Sequence, residues 1–152
     1  MRQKAPVPRR LWVTRVFVDT GAWYALGASA DLSHERAVAL LSEHAGRLAT
    51  TDHVLVETWA VARSRHHRMA ADELVATIVN RNLAEVLTAM PQDIAAALQI
   101  GERFSDQDFS MVDRTSWAVM ERYGIQEAVS FDADFAVYRY GPGLSQAFTI
   151  HR

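Results

Sequence analysis

Residues 16 to 20, Val-Phe-Val-Asp-Thr, place one carboxylate directly after a run of apolar residues. A carboxylate at the end of a buried strand has two chemical uses. It can share a proton with a second carboxylate as an acid–base pair, or it can form one corner of an acidic cluster that binds a metal ion. The residues that accompany Asp19 decide between these two kinds of site.

Strand and helix patterns alternate along the chain. We predict strands at 13–19, 47–51, 83–88 and 128–132 and helices at 34–45, 52–66, 70–82, 91–104 and 111–123. Ser33 and Ser110 are suited to cap helix starts, and Gly46 and Gly124 are suited to helix ends. Parallel strands need helical crossovers whose apolar faces pack on the sheet. The pattern therefore predicts an α/β fold, a three-layer α/β/α sandwich with a central, mainly parallel sheet.

This architecture weakens the acid–base alternative for Asp19. The sequence Asp-Thr-Gly is how aspartic proteases present a catalytic carboxylate, but those proteins are built from strands and turns. Most of this chain has helical periodicity instead. Asp19 must therefore have other partners.

Four acids are expected to meet at one edge of the predicted sheet, because ligands bind at the carboxyl ends of parallel strands. Asp19 ends the first strand and Asp132 ends the last. Glu57 lies early in the helix that leaves the second strand. Asp113 lies in the first turn of the helix that leads back to the start of the last strand.

Each acid also has a structural alternative. Asp113 stands three residues after Ser110, which is the spacing of a capping box, and Asp19 and Asp132 could each cap a following helix. Glu57 fits this alternative poorly, because it shares an apolar helix face and has no Lys or Arg within one turn. Carboxylates gathered without basic partners repel one another, whereas a hard divalent cation binds them. The group predicts a Mg²⁺ site in which Mn²⁺ can substitute.

Composition sets the limits on the kind of protein. The 152 residues, 49% of them hydrophobic, suit one compact domain over 13–152, preceded by a basic, Pro-containing extension at 1–12 that we expect to be flexible. The lack of cysteine excludes disulfides, Cys-ligated zinc and thiol catalysis. It also suits a cytoplasmic location, and no stretch resembles a membrane span. A net charge of -2 argues against a generally basic nucleic-acid-binding surface.

Three stretches resemble the successive motifs of PIN-domain nucleases, specifically the VapC-type toxins of bacterial toxin–antitoxin pairs: VFVDTGAWYAL, VLVETWAVA and FSDQDFSMVDRTSWAVMERYGIQEAVSFDADF. The resemblance implies Mg²⁺-dependent hydrolysis of RNA phosphodiester bonds. It assigns the metal to Asp19, Glu57, Asp113 and Asp132, and it places the hydroxyl of Ser130 in the catalytic site. Asp108 and Asp134 also fall near acidic positions of the family, as outer ligands or as surface charges.

The same resemblance implies an RNA substrate, a cognate antitoxin protein and a homodimer. Arg63, Arg65 and Arg68 are candidate RNA contacts at the end of the helix that carries Glu57, and their alternative is a solvated helix end where cations suit the helix dipole.

The early helices of such toxins form a groove for an extended antitoxin tail, which could involve these apolar residues: Trp23, Tyr24, Leu26, Leu40 and Leu41. Their alternative role is hydrophobic core. Two other functions remain open, a PIN nuclease that matures RNA without an antitoxin and a catalytically inactive PIN-fold interaction module.

Overall fold

The computed structural model describes residues 14–152, so the predicted extension at 1–12 lies outside the described residues. The strands are β1 (Val16–Val18), β2 (Leu48–Thr51), β3 (Glu85–Leu87), β4 (Glu127–Val129) and β5 (Thr149–His151). The helices are α1 (Thr20–Gly27), α2 (His34–Glu43), α3 (Asp52–Arg65), α4 (Arg68–Asn80), α5 (Pro91–Arg103), α6 (Met111–Tyr123) and α7 (Asp134–Val137). Within this described range, no helix combines the length and the hydropathy needed to cross a bilayer.

The five strands form one sheet in the order β3-β2-β1-β4-β5, and every neighbouring pair is parallel. The predicted three-layer α/β/α sandwich is confirmed, with a sheet that is parallel among all the described strands. The chain extends the sheet from β1 through β2 to β3 on one side, then returns to place β4 against the other side of β1. The strand order thus reverses between β1 and β4, and in open parallel sheets ligands bind outside the carboxyl ends of the strands at such a point.

Capping residues begin and end the helices that position the acids, at Ser110 and Gly124 as predicted and also at Thr51. Thr51 Oγ1 accepts a hydrogen bond from the Val54 amide at 3.1 Å at the start of α3. Ser110 Oγ accepts from the Asp113 amide at 3.0 Å at the start of α6. Gly124 ends α6 with φ of 67°, a left-handed conformation that glycine adopts without steric cost.

An aromatic core holds α6 against the C-terminal part of the chain. The Trp117 ring is fully buried, stacks on Tyr138 with centroids 4.3 Å apart and meets the edge of Phe109 at 4.8 Å. Phe135 of α7 packs on the same indole at 5.5 Å. These contacts fix the first turn of α6 and the segment after β4 relative to each other.

Helix α1 and strand β5 were not predicted from the sequence. Because α1 begins one residue after Asp19, the expected groove residues Trp23 and Tyr24 lie inside a helix and are buried. Leu40 and Leu41 of α2 are buried as well, and Leu26 is partly buried. The four buried side chains take the alternative role of hydrophobic core, and the antitoxin groove stays a prediction.

Candidate metal centre

A pocket of about 450 Å³ lies where the segments after β1 and β4 meet the starts of α1 and α6. Six acids are among its lining residues: Asp19, Glu57, Asp108, Asp113, Asp132 and Asp134. We call this the acid pocket. One carboxylate oxygen each from Asp19, Asp113 and Asp132 lies within 4.8 Å of the other two. The four acids singled out in the sequence thus line one pocket, and three of them form its tightest group.

Asp19 both caps a helix and faces the acid pocket. Its Oδ1 accepts a hydrogen bond from the Thr20 amide at 2.7 Å at the start of α1, as the capping alternative required. Its Oδ2 accepts from the Ser130 hydroxyl at 2.9 Å. A carboxylate has further lone pairs beyond these two bonds, so capping does not exhaust its capacity to bind a cation.

Ser130 connects the ends of the two central strands. Its hydroxyl is fully buried, donates to Asp19 and accepts from the Asp132 amide at 3.1 Å. Ser130 therefore positions the Asp19 carboxylate by a direct hydrogen bond. It positions Asp132 through the backbone amide of that residue.

Asp113 and Asp132 use their backbone and side chains for different purposes. The Asp113 amide is the donor to the Ser110 cap, while its carboxylate joins the acidic group. The Asp132 Oδ1 accepts from the Asp134 amide at 2.9 Å, which orders the turn into α7. At the start of α6 it is thus the Asp113 amide that takes part in the cap, and the Asp113 carboxylate belongs to the acidic group.

Glu57 lines the acid pocket from α3 but lies outside the tight group of three. It is partly buried, and the Thr20 hydroxyl donates a hydrogen bond to its Oε2. Sequence reasoning missed Thr20. Its signal was its position directly after Asp19, in the first turn of a helix that was itself not predicted.

The electrostatics of the acid pocket oppose full ionisation. Burial raises the pKa of Asp19 to about 6, and the nearby charges of Asp132 and Glu57 add to the effect, while hydrogen bonds from Thr20 and Ser130 partly offset it. Burial also raises the pKa of Asp113 to about 7, with the charge of Asp19 as the next cause. A divalent cation would relieve this repulsion, and three converging carboxylates are the oxygen donors that such a cation prefers. The residues present therefore fit a divalent metal ion.

The three candidate RNA-contacting arginines lie in different surroundings. Arg65 lines the acid pocket, and its guanidinium carbon lies 4.7 Å from the centroid of the Tyr24 ring. The Tyr24 hydroxyl in turn hydrogen-bonds to His66 Nε2 at 2.9 Å. Arg68 instead pairs with Asp72 at 2.7 Å, and neither Arg63 nor Arg68 lines the acid pocket.

Comparison with known proteins identifies the family to which this chain belongs. The PIN domain family model matches residues 16–139. The chain belongs to the PIN-domain family. Divalent-metal dependence is general among PIN nucleases, and the buried acidic group described above supplies suitable ligands in this member.

A VapC-type relative is close in both sequence and structure. The chain is 36% identical over 122 residues to the 23S rRNA-specific endonuclease VapC20 of Mycobacterium tuberculosis, covering 80% of this chain and 92% of the relative. The crystal structure of that protein, described as a sarcin–ricin loop cleaving toxin, matches with a TM-score of 0.75 and 34% identity over 80% of this chain and 93% of the other. The predicted VapC-type resemblance and the nuclease class are confirmed.

Two more distant structures match in fold alone. A toxin–antitoxin complex from Klebsiella pneumoniae matches with a TM-score of 0.57 at 16% identity, covering 80% of this chain and 90% of that one. VapBC2 from Rickettsia felis, bound to a DNA fragment from its promoter, matches with a TM-score of 0.60 at 10% identity, covering 82% and 92%. These matches support the PIN architecture of this chain.

Proposed function

We propose that this chain is an Mg²⁺-dependent endoribonuclease, with Mn²⁺ as a substitute ion, and the toxin of a toxin–antitoxin pair. The observation that carries the proposal is the convergence of Asp19, Asp113 and Asp132 within 4.8 Å at the point where the strand order reverses. A divalent cation held there supplies Lewis acidity and charge neutralisation for phosphodiester hydrolysis.

The roles of the site residues follow from their contacts. Asp19, Asp113 and Asp132 hold the ion directly. Glu57, restrained by the hydroxyl of Thr20, completes the acidic set from α3 and accepts a proton or a water hydrogen bond on that side of the acid pocket. Ser130 keeps the carboxylate of Asp19 aimed at the ion.

Arg65 is our choice among the three arginines for contact with the RNA backbone. It is the one cation among the described residues that line the acid pocket, and it forms no ion pair there. Its guanidinium lies over the ring of Tyr24, which also lines the acid pocket, so it is placed to contact an RNA phosphate bound there. Arg63 and Arg68 contribute at most to long-range attraction.

Ribosomal RNA is the substrate class we favour. The relative at 36% identity is named a 23S rRNA-specific endonuclease, and its crystal structure is described as that of a sarcin–ricin loop cleaving toxin. We infer a cytoplasmic location, because a ribonuclease must share a compartment with ribosomal RNA to cleave it. A maturation nuclease that works without an antitoxin is the second candidate, because the acidic group would serve either role equally well.

Further proposals concern the assembly. We infer that residues 13–152 form a single nuclease domain, that the domain pairs as a homodimer, and that a cognate antitoxin inhibits it. Support for the antitoxin comes from the structural neighbours, which include toxin–antitoxin complexes. A cation from the antitoxin would satisfy the acid pocket in place of the metal, so metal binding and inhibition should compete.

The decisive experiment is cleavage of a synthetic RNA hairpin carrying the sarcin–ricin sequence of 23S rRNA. The purified chain should cut it in Mg²⁺, lose activity in EDTA and recover it in Mn²⁺. Asp132→Asn should be inactive, whereas Glu73→Gln, which changes an exposed acid of α4 outside the acid pocket, should cleave as the parent does. Activity that persists in EDTA would contradict the proposal, and inactivity on every RNA tested would favour the inactive interaction module.

A bacterial growth assay distinguishes a toxin from a maturation nuclease. Expression of the chain alone should arrest bacterial growth, and co-expression of an antitoxin encoded beside its gene should restore growth. Asp19→Ala should be harmless without the antitoxin. Equal arrest by the parent and by Asp19→Ala would show that the carboxylates have no part in the toxicity.

A further inference from the structure

A second pocket, of about 430 Å³, lies directly beside the acid pocket and has no role in the function proposed above. Its lining includes Leu98, Gly101, Glu102, Gln107, Asp108 and Arg114. We call it the flanking pocket. Its volume is within the range of small-molecule binding sites, so it is large enough to hold a specific ligand.

The wall between the two pockets is the start of α6 and the residues before it. Asp108 lines both pockets. Beyond it the lining alternates, since Ser110 and Asp113 line the acid pocket whereas Phe109 and Arg114 line the flanking pocket. The two pockets thus share a wall, and a polymer bound over the acidic group can extend into the flanking pocket.

The guanidinium of Arg114 is held in place at this wall. Its Nη1 donates to the Ala97 carbonyl oxygen at 3.2 Å, and its Nε lies 3.4 Å from the Ser110 carbonyl oxygen. In the part of the chain that the structure describes, Arg114 forms no ion pair. The absence of a side chain at Gly101 leaves space for the Arg114 guanidinium, because a Cβ added at Gly101 would lie 2.1 Å from Nη1. A planar cation is thus fixed, and its remaining donors have no hydrogen-bond partner among residues 14–152.

The other lining groups suit a nucleobase better than a free anion. Leu98 of α5 is 56% exposed and offers an apolar surface. Glu102 and Asp108 outnumber the single cation Arg114, which disfavours an isolated phosphate. Carboxylate and amide groups can instead hydrogen-bond to base edges, and unpaired RNA bases stack on guanidinium planes.

We propose that the flanking pocket binds the unpaired base of a nucleotide next to the scissile phosphate, stacked on the guanidinium of Arg114 against Leu98 and read at its edge by Gln107 and Glu102. This inference rests on the proposed ribonuclease function and names the subsite that selects its RNA. The carboxylate of Glu102 favours a base that presents an exocyclic amino group. The flanking pocket thus supplies sequence preference, while the acid pocket supplies the chemistry.

The test compares matched variants on the sarcin–ricin hairpin, with binding measured by fluorescence anisotropy in Ca²⁺ and cleavage measured in Mg²⁺. Leu98→Asp places a negative charge in the flanking pocket, and Val79→Asp makes the same change at a 48% exposed position of α4 outside it. Gly101→Ala displaces the Arg114 guanidinium without removing its charge. Circular dichroism and Mn²⁺ titration of each variant verify that the fold and the metal site are intact.

Leu98→Asp and Gly101→Ala should each weaken hairpin binding about tenfold, the size of one base-stacking contact, while Val79→Asp binds as the parent does. An abasic nucleotide on one side of the cut should weaken binding by the parent to a similar degree and should have no further effect on Leu98→Asp. Parental binding by both flanking-pocket variants, with parental cleavage, would overturn the inference and leave the proposed function standing. A parent that neither binds nor cleaves RNA would overturn both. Loss of antitoxin inhibition without loss of RNA binding would assign the flanking pocket to the protein partner and overturn the inference.

Discussion

The charge on Asp113 is opposed by its surroundings, because the side chain is buried and the carboxylates of Asp19 and Asp132 lie beside it. Replacing it with asparagine keeps the shape and removes one of the repelling charges. We expect Asp113→Asn to abolish RNA cleavage and to raise the thermal midpoint of unfolding in EDTA. Calorimetry and the hairpin assay on one preparation measure both effects. Parental cleavage by Asp113→Asn would return Asp113 to a purely structural role at the start of α6.

The pH dependence of this effect has a defined sign. The folded-state pKa of Asp113 is raised to about 7 from the ordinary 3.8, so the folded protein binds more protons than the unfolded chain between these values. Its contribution to stability is present below about pH 4 and is lost as the pH rises through about 7. In EDTA, Asp113→Asn should match the parent near pH 4.5 and exceed its stability at pH 8, by at most roughly 4 kcal/mol. A gap that is constant with pH would contradict the raised pKa.

The sequence supplied the acids of the site more completely than their supporting groups. Asp19, Glu57, Asp113 and Asp132 could be found because each follows a strand or lies in the first two turns of a helix at the carboxyl edge of the sheet. Thr20 could not, since its contact with Glu57 joins residues 37 positions apart. Spacing could have separated Arg65 from Arg63, because Arg65 lies eight residues after Glu57 on the same face of α3, whereas Arg63 lies on the opposite side of that helix.

At the scale of elements, α5 and α6 are joined by an ion pair whose acidic partner is buried. Asp93 is 2% exposed and accepts from Arg122 Nε at 2.9 Å and Nη2 at 2.7 Å. Burial alone would raise the pKa of Asp93, but hydrogen bonds from Arg122 and the Met90 amide hold it below its ordinary value. The pair fixes the helix that carries Asp113 to the helix that carries Leu98.

Removing one partner of this pair leaves the other buried. We expect Arg122→Met to destabilise the protein by roughly 3 kcal/mol, because Asp93 loses its cation and two hydrogen bonds. The matched control is Arg68→Met, which breaks the exposed pair with Asp72 and should cost under about 0.5 kcal/mol. Urea denaturation of the two variants gives the comparison. Equal losses would show that burial of Asp93 does not set the strength of its pair.

The elements missed from the sequence share a physical cause. The segment of α1, Thr20–Gly27, is apolar on nearly all sides, so it lacks the alternation of polar and apolar faces that marks a surface helix. Strand β5 is three residues long and follows a turn rich in glycine and proline, which gives no periodic signal. Long amphipathic helices such as α5 and α6 were predicted to within one residue at most of their ends.

For the molecule as a whole, edge strand β5 supports the acid pocket although it contributes none of the residues that line it. The Ser130 amide donates to the His151 carbonyl oxygen at 3.2 Å, and Ser130 holds Asp19. We expect removal of residues 149–152 to abolish cleavage and weaken Mn²⁺ binding, with most helical signal retained in circular dichroism. Removal of Arg152 alone, which costs the contact with Arg36, should leave cleavage near the parental rate. A fully active chain without β5 would show that Ser130 needs no support from this edge.

The placement of β1 at the centre of the sheet also determines when the acid pocket can form during synthesis. Its neighbour β4 follows it by more than a hundred positions, and the bond between Asp19 and Ser130 spans 111 residues. During synthesis, β1 and the helices from α1 to α5 are made before Asp113, Ser130 and Asp132. Asp19 therefore lacks Ser130 and Asp132 until the last quarter of the chain is being made, and the acid pocket is incomplete until then.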